Sequence, residues 1–256
     1  GCLALQAAKA GVKRLVYVSS VKVNGKSTGD KSRNQGSGVR GQEKTEVRSR
    51  KSEVRGQEGE LKEAFSEKDV PAPQDPYAVS KWEAEQILNA IAVNRGLEVV
   101  TLRPPLVYGP GVKANFLCLV KLAQLGVPLP FGSVNNRRSL IYIGNLVDAM
   151  VACMTHPNAA NKTYLVSDGE DVSTPDLIRR ISAASNRRAL MLPAPVWMMR
   201  MAGRIAGSSD KLDRLLGSLA VDISKIRRDL HWHPPFTMEE GIRETVLWYK
   251  SADYAD

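Results

Sequence analysis

The chain has 256 residues, 43% of them hydrophobic, and a formal charge of +9. That length supplies a core for one large domain or two small ones. It contains no run of 18 uncharged apolar residues to read as a membrane span, and Gly1 to Ala10 lacks the charged leader of a signal peptide.

Three cysteines, Cys2, Cys118 and Cys153, lie far apart with no paired spacing. That argues against a disulfide framework or a zinc site and predicts a reducing, cytoplasmic setting. Between residues 176 and 231, eleven Lys and Arg face five Asp. Such a stretch is either a solvated basic surface or a field that attracts an anionic substrate such as a nucleotide diphosphate. Aromatic residues make up 6% of the chain, with no stacking pattern or helix-turn-helix, so no nucleic-acid partner is expected.

Residues 3–10 read as the end of an amphipathic helix stopped by Gly11. The apolar run 14–18 before Ser19-Ser20 predicts a buried parallel strand. Residues 26–67 are poor in large apolar groups and repeat Val39-Arg-Gly-Gln-Glu43 as Val54-Arg-Gly-Gln-Glu58. This low-complexity composition predicts a disordered or loosely helical surface insertion. A helix is expected from about Tyr77 to Asn94, with Gly96 as its stop and Ala84, Ile87, Leu88 and Ile91 on its buried face. Residues 97–102 follow as a strand. Further helices are expected at 116–127, 145–156 (Leu146, Ala149, Met150 and Cys153 inward), from Ser173-Thr-Pro-Asp176 onward, and at 238–249. Strands are expected at 139–143 and 163–166. The Met- and Trp-rich stretch 195–206 reads as core, with a lipid- or partner-binding face as the alternative. Alternating strands and helices imply a doubly wound parallel sheet.

The chemistry centres on Tyr77-Ala-Val-Ser-Lys81. Helix positions i and i+4 share a face, so phenol and ammonium stand side by side. A free phenol titrates near pH 10, and a neighbouring ammonium favours the phenolate. The pair is a candidate acid–base couple, although Tyr-x-x-x-Lys alone also arises by chance.

The surrounding strings, taken in order, add weight: Ser19-Ser20-Val-Lys-Val-Asn-Gly25, Leu102-Arg103-Pro104-Pro-Leu-Val-Tyr108-Gly109, Arg138-Ser-Leu-Ile-Tyr-Ile-Gly-Asn145 and Asp222-Ile-Ser-Lys225 through Trp232. Together they resemble the NAD-dependent epimerase/dehydratase group of extended short-chain dehydrogenases, over nearly the whole chain outside the insertion. The resemblance implies an α/β fold: a partial Rossmann-type doubly wound parallel sheet with a small C-terminal α/β substrate-binding domain. Residues 1–111 would form the dinucleotide-binding part, with 139–166 returning to it. Residues 112–138 and 167–256 would bind a nucleotide sugar. The family's glycine-rich phosphate turn is absent, so its first strand–helix units are expected to be missing from this chain.

The resemblance also implies roles. Ser20, Tyr77 and Lys81 would be catalytic: Ser20 bonding the sugar oxygen, Tyr77 acting as base for the 4-hydroxyl, and Lys81 holding the nicotinamide ribose. Ser19, Pro104 and Val107 would lie beside the cofactor, NAD with NADP not excluded. Lys22, Asn115 and Arg138 would join Ser20 on the substrate, with Arg138 pairing the diphosphate. Asn115 and Arg138 also have plainer readings, as a helix cap and as a surface arginine. Two positions depart from the family pattern, Asn24 in place of Tyr and Leu106 in place of Asn. Both face the active site in relatives and so bear on substrate choice. The expected activity is 4-epimerisation of a UDP-hexose through a 4-keto sugar. The alternatives are a 4-keto-sugar reductase, toward which Ser-Val-Lys-Val-Asn-Gly leans, and a non-catalytic remnant with an unpaired strand at 14–18. A homodimer built on the Tyr77 helix is expected by analogy.

Overall fold

The computed structural model describes residues 1–28, 64–205, 207 and 209–253. Helix α1 (Cys2–Lys9) turns through Gly11, whose φ of 75° suits a residue without Cβ. Strand β1 (Arg14–Val18) and a single 3-10 turn (Val21–Val23) follow. Helix α2 (Pro76–Arg95) starts on the N-cap Asp75 with proline in its first turn and ends on Gly96 in the left-handed region. It carries the chain across to β2 (Glu98–Arg103), which runs parallel to β1 from Arg14↔Glu98 to Val18↔Leu102. Strand β5 (Thr163–Leu165) joins the other edge of β2, also parallel, so the order is β1-β2-β5.

A second sheet pairs β3 (Leu106–Tyr108) in parallel with β4 (Arg138–Tyr142), and the short β6 (Asp171–Val172) lies antiparallel on β4. Helices α3 (Ala114–Gln124) and α4 (Ile143–Thr155) precede and follow β4. Then come α5 (Thr174–Ala184), α6 (Val196–Ile205), α7 (Ser209–Leu216), α8 (Ser224–Leu230) and α9 (Met238–Asp253).

Side chains along β2 alternate between two cores, as the period of two in a strand requires. Val99 joins Ala4, Leu88, Ile91 and Leu97 under α1 and α2. Val100 and Leu102 join Ala149, Cys153, Ile226 and Trp232 under α4 and α8. Covering both faces of a parallel strand is what makes its sequence a continuous apolar run. A third core, with Phe116, Val120, Leu140, Ile178, Ile181 and Ile242, sits among α3, β4, α5 and α9. The architecture is the expected α/β fold with a parallel sheet, β1-β2-β5, beside a mixed one.

Five expectations change. On α2, Ile87 is 48% exposed and Glu85 is buried in the helix face, because Glu85 has a cationic partner inside. Met150 is only partly buried against its core. Strand β1 is half-buried along its length, since its place at the end of the order leaves it one described neighbour. The ends of the expected insertion are ordered. Thr28 N–H donates to Ser218 O and Phe65 N–H to Ala220 O, each at 2.8 Å, and Phe65 is buried. A short strip at 218–222 gives both ends a backbone to pair with. Residues 29–63, the remainder of that insertion, lie outside the described residues. The largest change concerns 195–206. Helix α6 buries Met199 and Gly203 but leaves Trp197, Met198, Met201 and Ile205 exposed. A ten-residue helix packed on one side by α7 has only one stripe to bury.

Candidate active site

The site forms where the end of β1 meets the start of α2. Ser19 N–H continues the ladder to Leu102 O at 2.7 Å. Ser20 is extended, and its hydroxyl accepts from Lys22 N–H at 3.3 Å, capping the 3-10 turn. Val21 N–H donates to Pro104 O at 3.0 Å, which pins that turn beside the link from β2 to β3. Ser19 is buried, and its hydroxyl has no partner among the described residues.

Asp75 prepares the other half. One of its oxygens accepts from Ala78 N–H at 2.7 Å and the other from Lys22 Nζ at 2.7 Å. The helix N-cap is thereby tied to the Ser20 turn across the inserted segment. Tyr77, in the first turn of α2, is 52% exposed. Lys22 Nζ lies 5.6 Å from its ring centroid and Lys81 Nζ 5.8 Å, so the phenol has two ammonium groups near it. Lys81 also donates to Val18 O at 3.0 Å and lies 5.1 Å from the Tyr17 ring. Burial, then the charges of Glu85 and Tyr77, push the Tyr17 phenol up, which keeps it protonated beside the site.

The Lys22 ammonium, together with the Ala78 N–H, holds the Asp75 carboxyl below the usual carboxylate range. A lowered folded pKa stabilises the fold above the unfolded value, about 4, and that stability fades as pH falls through and below it. Asp75→Ala should therefore cost about 1 kcal/mol at neutral pH, mostly as a lost cap, since a half-exposed ion pair adds little. The difference from wild type should shrink in acid. Denaturant midpoints measured across that range check it; a difference independent of pH would contradict the assignment.

Behind the site, Arg103 and Glu85 form a buried bidentate pair at 2.6 and 3.1 Å. Arg103 also donates to Asn24 Oδ1 at 3.0 Å and lies 5.7 Å from the Trp82 ring. Asn24 Nδ2 donates to Ser66 O at 2.9 Å. Asn24, expected to face the substrate, is instead buried with its amide engaged on both sides. A guanidinium already inside needs that oxygen, so the departure from Tyr at this position is structural. Leu106 is likewise half-buried, against the third core.

The structure thus brings together Ser19, Ser20, Lys22, Tyr77, Lys81 and Pro104. Val107 is half-buried in β3 opposite Ile141. Asn115 lies in the first turn of α3, and its side chain is outside the described residues. Arg138 stands at the start of β4 and donates to Arg214 O on α7; its described contact is with that helix, not with the Tyr77 cluster. Burial works against its charge and pushes its pKa down. Sequence reasoning missed Asp75, although Asp-Pro ahead of a helix is a capping signal. It also missed Asn136, buried between β4 and α7, which donates to Thr174 Oγ1, Leu215 O and Gly217 O. A lone Asn in a loop carries no signal of that kind.

Residues 3–167 match the NAD dependent epimerase/dehydratase family. A UDP-glucose 4-epimerase of Vibrio cholerae is 43% identical over 253 residues, 98% of this chain and 67% of that protein. The N-acetyl-alpha-D-glucosaminyl-diphospho-ditrans,octacis-undecaprenol 4-epimerase of Escherichia coli O157:H7 is 24% identical over 195 residues, 69% of this chain and 58% of that protein. Among solved structures, the UDP-glucuronic acid 4-epimerase of Bacillus cereus in complex with NAD superposes with a TM-score of 0.67 at 20% identity, over 98% of this chain and 65% of that one. The chain therefore spans about two thirds or less of the length of each. With that match and that relative added to the fold, the chain belongs to the NAD dependent epimerase/dehydratase family.

Proposed function

We propose that the protein is an NAD(P)-dependent 4-epimerase of a UDP-hexose, acting through a 4-keto sugar. The observation that carries this reading is the exposed Tyr77 phenol with two ammonium groups near its ring, and the Ser20 turn tied to the same helix through Lys22 and Asp75. Tyr77 takes the proton of the sugar 4-hydroxyl and later returns it. Ser20 bonds the same oxygen. Lys81 spends one donor on Val18 O and keeps others for a ribose. The Ser19 hydroxyl, without a partner among the described residues, and the Pro104 backbone border the same place, Val107 follows on β3, and these groups suit a nicotinamide ribose. A nicotinamide dinucleotide bound there supplies the hydride acceptor and donor for carbon 4.

In this reading residues 1–111 with 139–166 hold the dinucleotide, and 112–138 with 167–256 hold the nucleotide sugar. Arg138 binds the diphosphate: its charge is disfavoured by burial and its described partner is a neutral carbonyl. Lys22 serves the Tyr77 helix through Asp75 and is not required on the sugar. The relatives from Vibrio and Escherichia are named for different carriers, and a diphosphate joined to a hexose is common to both. Asn24 lies in the Ser-Val-Lys-Val-Asn-Gly string that leans toward a reductase, and its amide is committed to Arg103 and Ser66.

Calorimetric titration tests the reading. UDP-glucose should bind saturably and Arg138→Ala should weaken it by at least about tenfold, the scale of one charge-assisted contact. No UDP-sugar binding would sink it. Turnover with catalytic rather than stoichiometric NAD would separate an epimerase from a reductase.

A further inference from the structure

Helix α6 takes no part in the proposed chemistry, yet it is built in a specific way. Met199 and Gly203 face inward, and at Gly203 an added Cβ would lie 2.8 Å from Leu212 Cδ2 on α7. The opposite side is apolar and bare: Trp197 is 63% exposed, Met201 53% and Ile205 85%. At 3.6 residues per turn these three form one stripe, with the exposed Met198 beside it. Contiguous exposed apolar surface of this kind marks an interaction site.

Charge selects the partner. Arg200 and Arg204 are exposed along one flank of the stripe. Asp213 meets Arg200 at 3.6 Å, and the surface stays basic on balance. A second copy of the chain would set like charge against like charge across an isologous contact. An anionic bilayer meets both halves of the pattern. Trp, Met and Ile enter the acyl boundary, and arginine stems extend toward the headgroups. No described helix is long and apolar enough to cross a membrane, so the contact would lie in the interface plane.

We propose that α6 docks the protein in the plane of an anionic lipid surface. The location bears on the reaction. α7 packs on α6, and Arg214 of α7 gives its carbonyl to Arg138. Docking therefore ties the membrane-bound helix through α7 to Arg138, the residue proposed to bind the diphosphate of the UDP-hexose. That consequence rests on the function proposed above; the docking itself does not.

The purified protein should sediment with phosphatidylglycerol vesicles and not with phosphatidylcholine vesicles. Added salt should weaken the binding, and Trp197 emission should shift to the blue. Trp197→Ser, Met201→Ser and Ile205→Ser together should reduce partitioning at least about tenfold. Arg200→Glu with Arg204→Glu should do the same while leaving the apolar stripe, so a folding defect in the first variant would not decide the matter. Absence of wild-type binding to phosphatidylglycerol, or binding unchanged in both variants, overturns the proposal. So does light scattering that finds a wild-type dimer, made monomeric by the triple variant, with no vesicle binding. UDP-glucose titration of the same proteins separates the two readings: vesicle binding without sugar binding leaves the docking standing and removes the proposed substrate.

Discussion

Tyr77→Phe is expected to lower UDP-hexose turnover by about a hundred- to ten-thousandfold, the usual contribution of a positioned acid–base group. The phenol oxygen is the atom proposed to carry the sugar proton, and the rest of the side chain remains to fill its place. Tyr77 is half exposed, so thermal stability and UDP-glucose affinity should stay close to wild type. That contrast is the diagnostic part. A variant that loses binding and turnover together would make Tyr77 a substrate contact, and one that keeps turnover would remove it from the chemistry. Lys81→Met should also cost turnover. It removes one of the two ammonium groups beside the ring and leaves Val18 O without its donor.

The second large effect is expected on stability. Glu85→Ala or Arg103→Ala should each destabilise the fold by about 3–5 kcal/mol, because each leaves a buried charge without its counterion. For a chain of this size each kcal/mol moves Tm by about 2–4 °C, so a thermal melt reads the loss directly. Arg103→Ala should be the worse of the two, since it also strands Asn24 Oδ1 and empties the space beside Trp82. Replacing both members with apolar residues of similar volume, Glu85→Leu with Arg103→Met, should recover much of the loss. Single variants within about 1 kcal/mol of wild type would mean that water reaches the pair. The pair also bears on the site. Asn24 closes the turn that begins at Ser20, so loosening Arg103 should lower turnover further than the stability loss alone explains.

Local pattern made much of this protein legible in the sequence. Apolar runs at 14–18 and 97–102 predict strands, and the second is covered on both faces, so it has no polar side to show. Gly96 and the proline in the first turn of α2 mark helix ends by backbone geometry. Tyr77 and Lys81 share a helix face by spacing alone, and the ordered set of short strings pointed to the family. What depended on partners distant in the chain was decided only in three dimensions. Glu85 reads as an exposed helical residue until Arg103, on the next strand, draws it inward. Asn24 reads as a substrate contact until the same guanidinium claims its amide. Asp75 caps a helix by local rule, but its bond to Lys22, which joins the segments carrying Ser20 and Tyr77, spans 53 residues. Thr28 and Phe65 read as part of a low-complexity stretch until residues 218–222 supply a backbone to pair with. Helix α6 departs from the expectation of a core helix for the same reason. Hydrophobicity measures a tendency to leave water, while burial requires a neighbour, and α7 covers only one side of that helix.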